Sequence, residues 1–152
     1  MDENAGSARN ALDRELAQVG PETFTARDYR PGRVVHIVLF KFAPSTADAV
    51  RTDVTERFLA LKDSRRQDGE PYILSIDAGP QASGEEAVGA DYDLAFVVVF
   101  ASSGDRNYYV GEPVVSDPRY FDGAHAAFKE YVGPLLDGGD VLVFDIVPPA
   151  QA

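Results

Sequence analysis

Apolar residues recur along this chain with two different periods, and the switches between them mark its elements. Ala8, Leu12, Leu16 and Val19 fall at i, i+4, i+8 and i+11, one stripe of a short amphipathic helix. Gly20-Pro21 ends the stripe, with glycine after the last periodic residue and proline just beyond. Mixed polar residues then lead to Pro31-Gly32, a turn signal. Residues 1–32 therefore read as an accessory helix and a linker ahead of a second unit, 33–149. That unit opens on VVHIVLFKF (34–42), a nearly continuous β-branched and aromatic run that predicts a strand. Successive strand side chains point to opposite faces. His36, Val38, Phe40 and Phe42 thus share one face, and Val35, Ile37, Leu39 and Lys41 share the other. Both faces are largely apolar, so both need a cover.

Val50, Val54, Phe58 and Leu61 sit at helical spacing and predict a helix capped by Ser45 or Thr46 and running to about residue 63. A second strand is expected over 72–78, closed by Gly79-Pro80, and residues 81–91 form a polar connection. YDLAFVVVF (92–100) predicts a third strand with Tyr92, Leu94, Phe96, Val98 and Phe100 on one face. Ser103 caps a short helix toward Val110, interrupted at Gly111-Glu112-Pro113. Asp117-Pro118 opens another helical stretch whose apolar side is Ala124, Phe128, Val132 and Leu135. Gly138-Gly139 closes it, and 141–147 is the last strand, ended by Pro148-Pro149. The order strand, helix, strand, strand, helix, strand is the split βαβ, ferredoxin-like arrangement of an α+β fold. Its four-stranded antiparallel sheet has helices on one face only. The other face, with Val35, Ile37, Leu39, Ala95, Val97 and Val99, is too apolar for water, which predicts a homodimer packed sheet against sheet.

Composition narrows the function classes. Fourteen basic against 25 acidic residues give a formal charge of −11, which repels phosphate backbones and anionic lipid, so neither nucleic acid nor membrane is expected as a partner. The chain has no cysteine, which excludes disulfides, thiolate catalysis and cysteine-based metal sites. No apolar run approaches the ~18 residues of a membrane span. The polar start, residues 1–7, lacks a secretory signal, so the cytoplasm is the expected compartment. No glycine pattern cradles a phosphate and no serine sits in a nucleophile elbow. Histidines and carboxylates do not cluster tightly enough for a metal, and no cofactor is expected. Glu112 reads as a solvated loop carboxylate. Candidate chemistry rests on His36 and His125, the two histidines of the chain, because imidazole serves as a general base near neutral pH.

Four segments, HIVLFKF (36–42), YDLAFVVVF (92–100), HAAFKEYVGPLL (125–136) and VLVFDIVP (141–148), resemble the stress-responsive dimeric α/β-barrel (Dabb) family over about residues 34–148. The resemblance implies a ferredoxin-like subunit that dimerises through its sheet into a barrel. Some members are polyketide cyclases, with a histidine at the start of the first strand and a Tyr-x-x-His-Pro-x-His segment beside a sheet–helix pocket. His36 matches the strand histidine, Tyr109 the tyrosine, Pro113 the proline and His125 the last histidine. Glu112 stands where the first histidine of the segment would be, and about ten extra residues, 114–123, separate Pro113 from His125. That insertion carries Val114, Val115, Tyr120 and Phe121, so it is expected over the pocket mouth or against a partner subunit. Two functions follow as expectations. One is a homodimeric barrel that binds a small apolar carbonyl ligand, in a stress-related role without turnover. The other is a cofactor-independent cyclase or lyase with His125 as base, Tyr109 donating to an enolate and His36 setting polarity. The pocket would be lined by Phe40, Phe58, Leu94, Phe96 and Val98.

Overall fold

The computed structural model describes residues 7–85 and 91–149. The expectations for residues 1–7 and for the 81–91 connection fall partly outside the described residues. Helix α1 spans Ser7–Phe24, followed by strand β1 (Pro31–Phe42), helix α2 (Asp48–Ala60) and strand β2 (Ile73–Pro80). Strand β3 (Leu94–Ser102) runs into helix α3 (Ser103–Val110), followed by helix α4 (Gly123–Val132) and strand β4 (Leu136–Ile146). The strands form one sheet in the order β2-β3-β1-β4, with every neighbouring pair antiparallel. This is the α+β ferredoxin-like arrangement. No helix among the described residues is long and apolar enough to cross a membrane.

The alternation read from β1 is the alternation observed. Val34, His36, Val38, Phe40 and Phe42 are buried under the helices, while Val35, Ile37 and Leu39 are half-buried on the free face. Register aligns Val35, Ile37 and Leu39 with Val99, Val97 and Ala95 on β3 and with Ile146, Phe144 and Leu142 on β4. Aromatic rings fill the space beneath the helices. Phe58 of α2 stacks on Phe96 with centroids 3.9 Å apart, and Phe40 and Phe128 meet Phe58 at 6.2 and 5.2 Å.

Several boundaries move. Gly20 leaves helical geometry at φ 80°, ψ 161°, but Pro21 restarts the helix, a position where its fixed φ suits a first turn. Helix α2 begins after Ala47 with no side-chain cap, so Ser45 and Thr46 do not have the expected role. Ser102 rather than Ser103 caps α3, its hydroxyl accepting from the Asp105 amide. Strand β4 starts at Leu136, and Gly138-Gly139 (φ 59° and 73°) lie inside it rather than closing a helix. The register shift between Phe40 and Phe42 absorbs that irregular start.

Residues 24–27 are anchored to the sheet–helix unit. Phe24 and Thr25 are buried, and the Asn107 side-chain amide donates to the Phe24 carbonyl at 2.9 Å. Arg27 bridges to Asp68 through two hydrogen bonds of 2.8 Å. Gly104 makes this packing possible. A Cβ there would fall 1.7 Å from the Ala26 carbonyl oxygen, so any side chain would push α3 off the segment.

Candidate functional site

His36 sits mid-strand on the helix-covered face, and sheet register puts Asp145 of β4 directly beside it. The Asp145 carboxylate accepts the His36 Nδ1–H at 2.6 Å, and its other oxygen accepts from Arg106 Nη1 of α3 at 2.9 Å. Arg106 Nε donates in turn to the Asn107 side-chain oxygen at 2.9 Å. Burial raises the Asp145 pKa, but the hydrogen bonds and charges of His36 and Arg106 outweigh it and hold the carboxyl below its ordinary range. An ionised Asp145 accepts from Nδ1, which orients the ring and leaves Nε2 as its other polar atom.

His125 arrives from the first turn of α4. Asp122 caps that helix, accepting from the Ala124 and His125 amides, from Ser64 Oγ at 2.7 Å and from the Tyr72 hydroxyl. The inserted residues loop out and return because the Asp122 amide donates to the Tyr108 carbonyl at 2.9 Å. The insertion therefore does not carry His125 away. Its Nδ1–H donates to the Tyr109 carbonyl at 2.6 Å, and its ring stacks on the Tyr109 ring at 3.8 Å. The same tyrosine ring meets His36 edge-on at 5.5 Å. Tyr109 is thus a wedge between two imidazoles, each with its Nε2 free of hydrogen bonds to the described residues.

Both histidines line a cavity of about 560 Å³ between the sheet and helices α3 and α4. Its walls are apolar, with Val38, Phe40, Phe58, Phe128, Val132, Val141 and Val143 among them. His125, Phe128, Lys129 and Val132 face it at i, i+3, i+4 and i+7, one side of α4. Of the expected lining, Phe40 and Phe58 are present. Leu94, Phe96 and Val98 are not, because they lie on β3 while the cavity opens toward β4, and the Phe58 ring covers Phe96. Tyr109 is also absent from the lining. Its hydroxyl is buried without a hydrogen-bond partner among the described residues, and the structure does not place it in the cavity wall with the two histidines. Burial first, then the charges of Asp122 and Asp145, push its pKa up. From the insertion, Val114 borders the cavity, Val115 is buried, and Tyr120 and Phe121 are half-buried.

The site includes residues that periodicity did not single out. Asp145 had a sequence signal, a lone carboxylate inside the apolar run VLVFDIV, but only register pairs it with His36. Lys129 could have been found four residues after His125 on the same helical face. Arg9 and Leu12 of α1 border the cavity as well, and nothing local in the sequence predicts that.

Burial pushes the His125 pKa down to about 3 from its ordinary 6.5; the Tyr109 carbonyl opposes this, and the charges of Lys129 and His36 add to it. The unfolded chain therefore takes up this proton before the folded one does. Stability should fall as pH drops from about 6.5 toward about 3, by up to ~1.4 kcal/mol per pH unit from this group. Urea midpoints measured across that range check it, and His125→Gln is expected to flatten the slope. A wild-type midpoint unchanged between those limits would contradict it.

The fold defines a ferredoxin-like α+β domain with a cavity under its helices. Residues 34–148 match the Stress Responsive A/B Barrel Domain, and the chain belongs to that family. A Gibberella zeae protein named Fusaristatin A biosynthesis cluster protein is 30% identical over 112 residues, which cover 74% of this chain and 71% of that one. Among solved structures, an Arabidopsis thaliana protein is similar at 20% identity with a TM-score of 0.59, covering 78% of this chain and 98% of its own. A hydroxynitrile lyase of Passiflora edulis is similar at 15% identity and TM-score 0.58, covering 80% and 98%. A dimeric ferredoxin-like protein of Jannaschia is similar at 16% identity and TM-score 0.56, covering 76% and 98%. At these identities the structures share the fold.

Proposed function

We propose that this protein is a homodimeric, cytoplasmic barrel that holds a small apolar carbonyl compound between its sheet and its helices. The carrying observation is the cavity of about 560 Å³, apolar in its walls and fitted with two imidazoles. That volume lies within the usual range of small-molecule sites, roughly 300–1,000 Å³. The relative from a biosynthesis cluster supports a small-molecule role, and the dimeric neighbours support the assembly. The test is titration with N-phenyl-1-naphthylamine, a neutral dye whose emission rises in apolar surroundings. Wild type should bind it saturably, and Val114→Trp, which fills the cavity mouth, should weaken binding about tenfold or more. A wild type that leaves the dye dark overturns the proposal.

A second function, cofactor-independent proton abstraction next to a carbonyl, is favoured by the His36–Asp145 hydrogen bond. The base in this scheme is His36 rather than His125. The Asp145 carboxylate offsets an imidazolium at His36, whereas burial disfavours one at His125. Deuterium exchange at the methyl group of acetophenone, followed by NMR, tests the assignment. If His36 is the base, His36→Gln should lose about 10²–10⁴-fold and His125→Gln clearly less. The reverse order would return the role to His125, and no exchange above buffer would remove the enzymatic scheme.

A further inference from the structure

We infer that the cavity selects ligands carrying a carboxylate, and that Lys129 is the residue that makes the selection. The inference rests on the proposed ligand role of the cavity and names the chemical class it takes. Lys129 follows His125 by one turn of α4 and shares its cavity-facing side. Its ammonium donates to the carbonyls of Val110 and Glu112, both at 2.9 Å. An ammonium has three protons, so one remains for a ligand. Lys129 makes no ion pair among the described residues, and Glu112, whose side chain is exposed, is the carboxylate that bears on it electrostatically. A half-buried cation with an unused donor beside apolar walls is incompletely solvated, and an anionic oxygen would restore what burial removes.

The charge of the lining points the same way. Lys129 and Arg9 stand there against Glu112, two cations to one anion, in a chain whose overall balance is 14 basic to 25 acidic residues. Arg9 is held at the mouth by the Pro113 carbonyl at 3.2 Å and by Asp13 at 3.3 Å. It belongs to α1, which lies outside the family-matched residues 34–148. Arg9 thus supports the selection made by Lys129 from a helix outside the matched residues. With the Tyr109 hydroxyl sealed away, Lys129 is the donor placed to meet negative charge next to His125.

The experiment is displacement of N-phenyl-1-naphthylamine from the full chain at pH 7.5 by decanoate and by decanol, which share a ten-carbon chain and differ in the head group. Decanoate should displace the dye at concentrations about tenfold lower than decanol. Lys129→Met keeps the apolar stem and removes the charge; it should abolish that preference by weakening displacement by decanoate far more than by decanol. Lys129→Arg should retain the preference, and Arg9→Gln should reduce it in part. Equal displacement by the two compounds in wild type, or a preference that survives in Lys129→Met, overturns the inference while leaving the cavity's ligand role standing. Absence of dye binding in wild type overturns both. The wild-type comparison decides the matter even where a variant fails to fold.

Discussion

Asp145→Ala should destabilise the protein by about 3–5 kcal/mol, the range for breaking a buried ion pair by removing one partner. Asp145 is the shared acceptor of His36 and Arg106, whose side chains are 6% and 10% exposed. Without it, a guanidinium stays under the helices with only the Asn107 side-chain oxygen for company. The loss is larger than for a surface pair because both partners of the carboxylate lie under the helices. A drop in Tm of roughly 10 °C, measured at fixed protein concentration, is the expected readout. Asp145→Asn keeps an acceptor and should lose less. A shift of only one or two degrees for the alanine variant would show that the network does not hold β4 to α3.

The second large effect is expected at the free sheet face. Val97→Asp should convert the proposed dimer to monomer or to precipitate, since an unpaired charge buried between two sheets costs several kcal/mol. Val97 lies opposite Ile37 on β1 and opposite Asp77 on β2, so the new carboxylate would also face an existing one. The apolar ground continues onto β4, where Phe144 is 61% exposed in the single chain. On the β2 side, Ser75 and Asp77 make the same face polar, which centres the proposed contact on β1, β3 and β4. Sedimentation at micromolar concentration separates the outcomes, with Val97→Ile as the control that keeps the face apolar. A wild-type monomer under those conditions contradicts the dimer.

Much of the fold was legible in the sequence because strand and helix periods are local. The run 34–42 states its own two faces, and the period-2 alternation placed His36, Val38, Phe40 and Phe42 under the helices. Gly and Pro marked the interruptions after α1 and α3, although Pro21 and Gly138-Gly139 served different elements from those expected. The matched positions of His36 and His125 were visible as well, and the structure brings both to one cavity.

The sequence by itself determined which side of each element is apolar, the order of strands and helices, the net charge and the scarcity of titratable groups near neutral pH. Tertiary structure decided what those sides meet. His36 and Asp145 are 109 residues apart and touch only because β1 and β4 pair in one register, which a single-residue slip would turn to opposite faces. The direction of the Tyr109 hydroxyl was set by the packing of its ring between two imidazoles, a contact that no local spacing encodes. Helix α1 looked like an appendage because its stripe is short, yet its anchoring through Phe24, Thr25 and Arg27 brings Arg9 and Leu12 to the cavity. Periodicity fixes the direction of a side chain relative to its own element, and long-range packing alone fixes its neighbours.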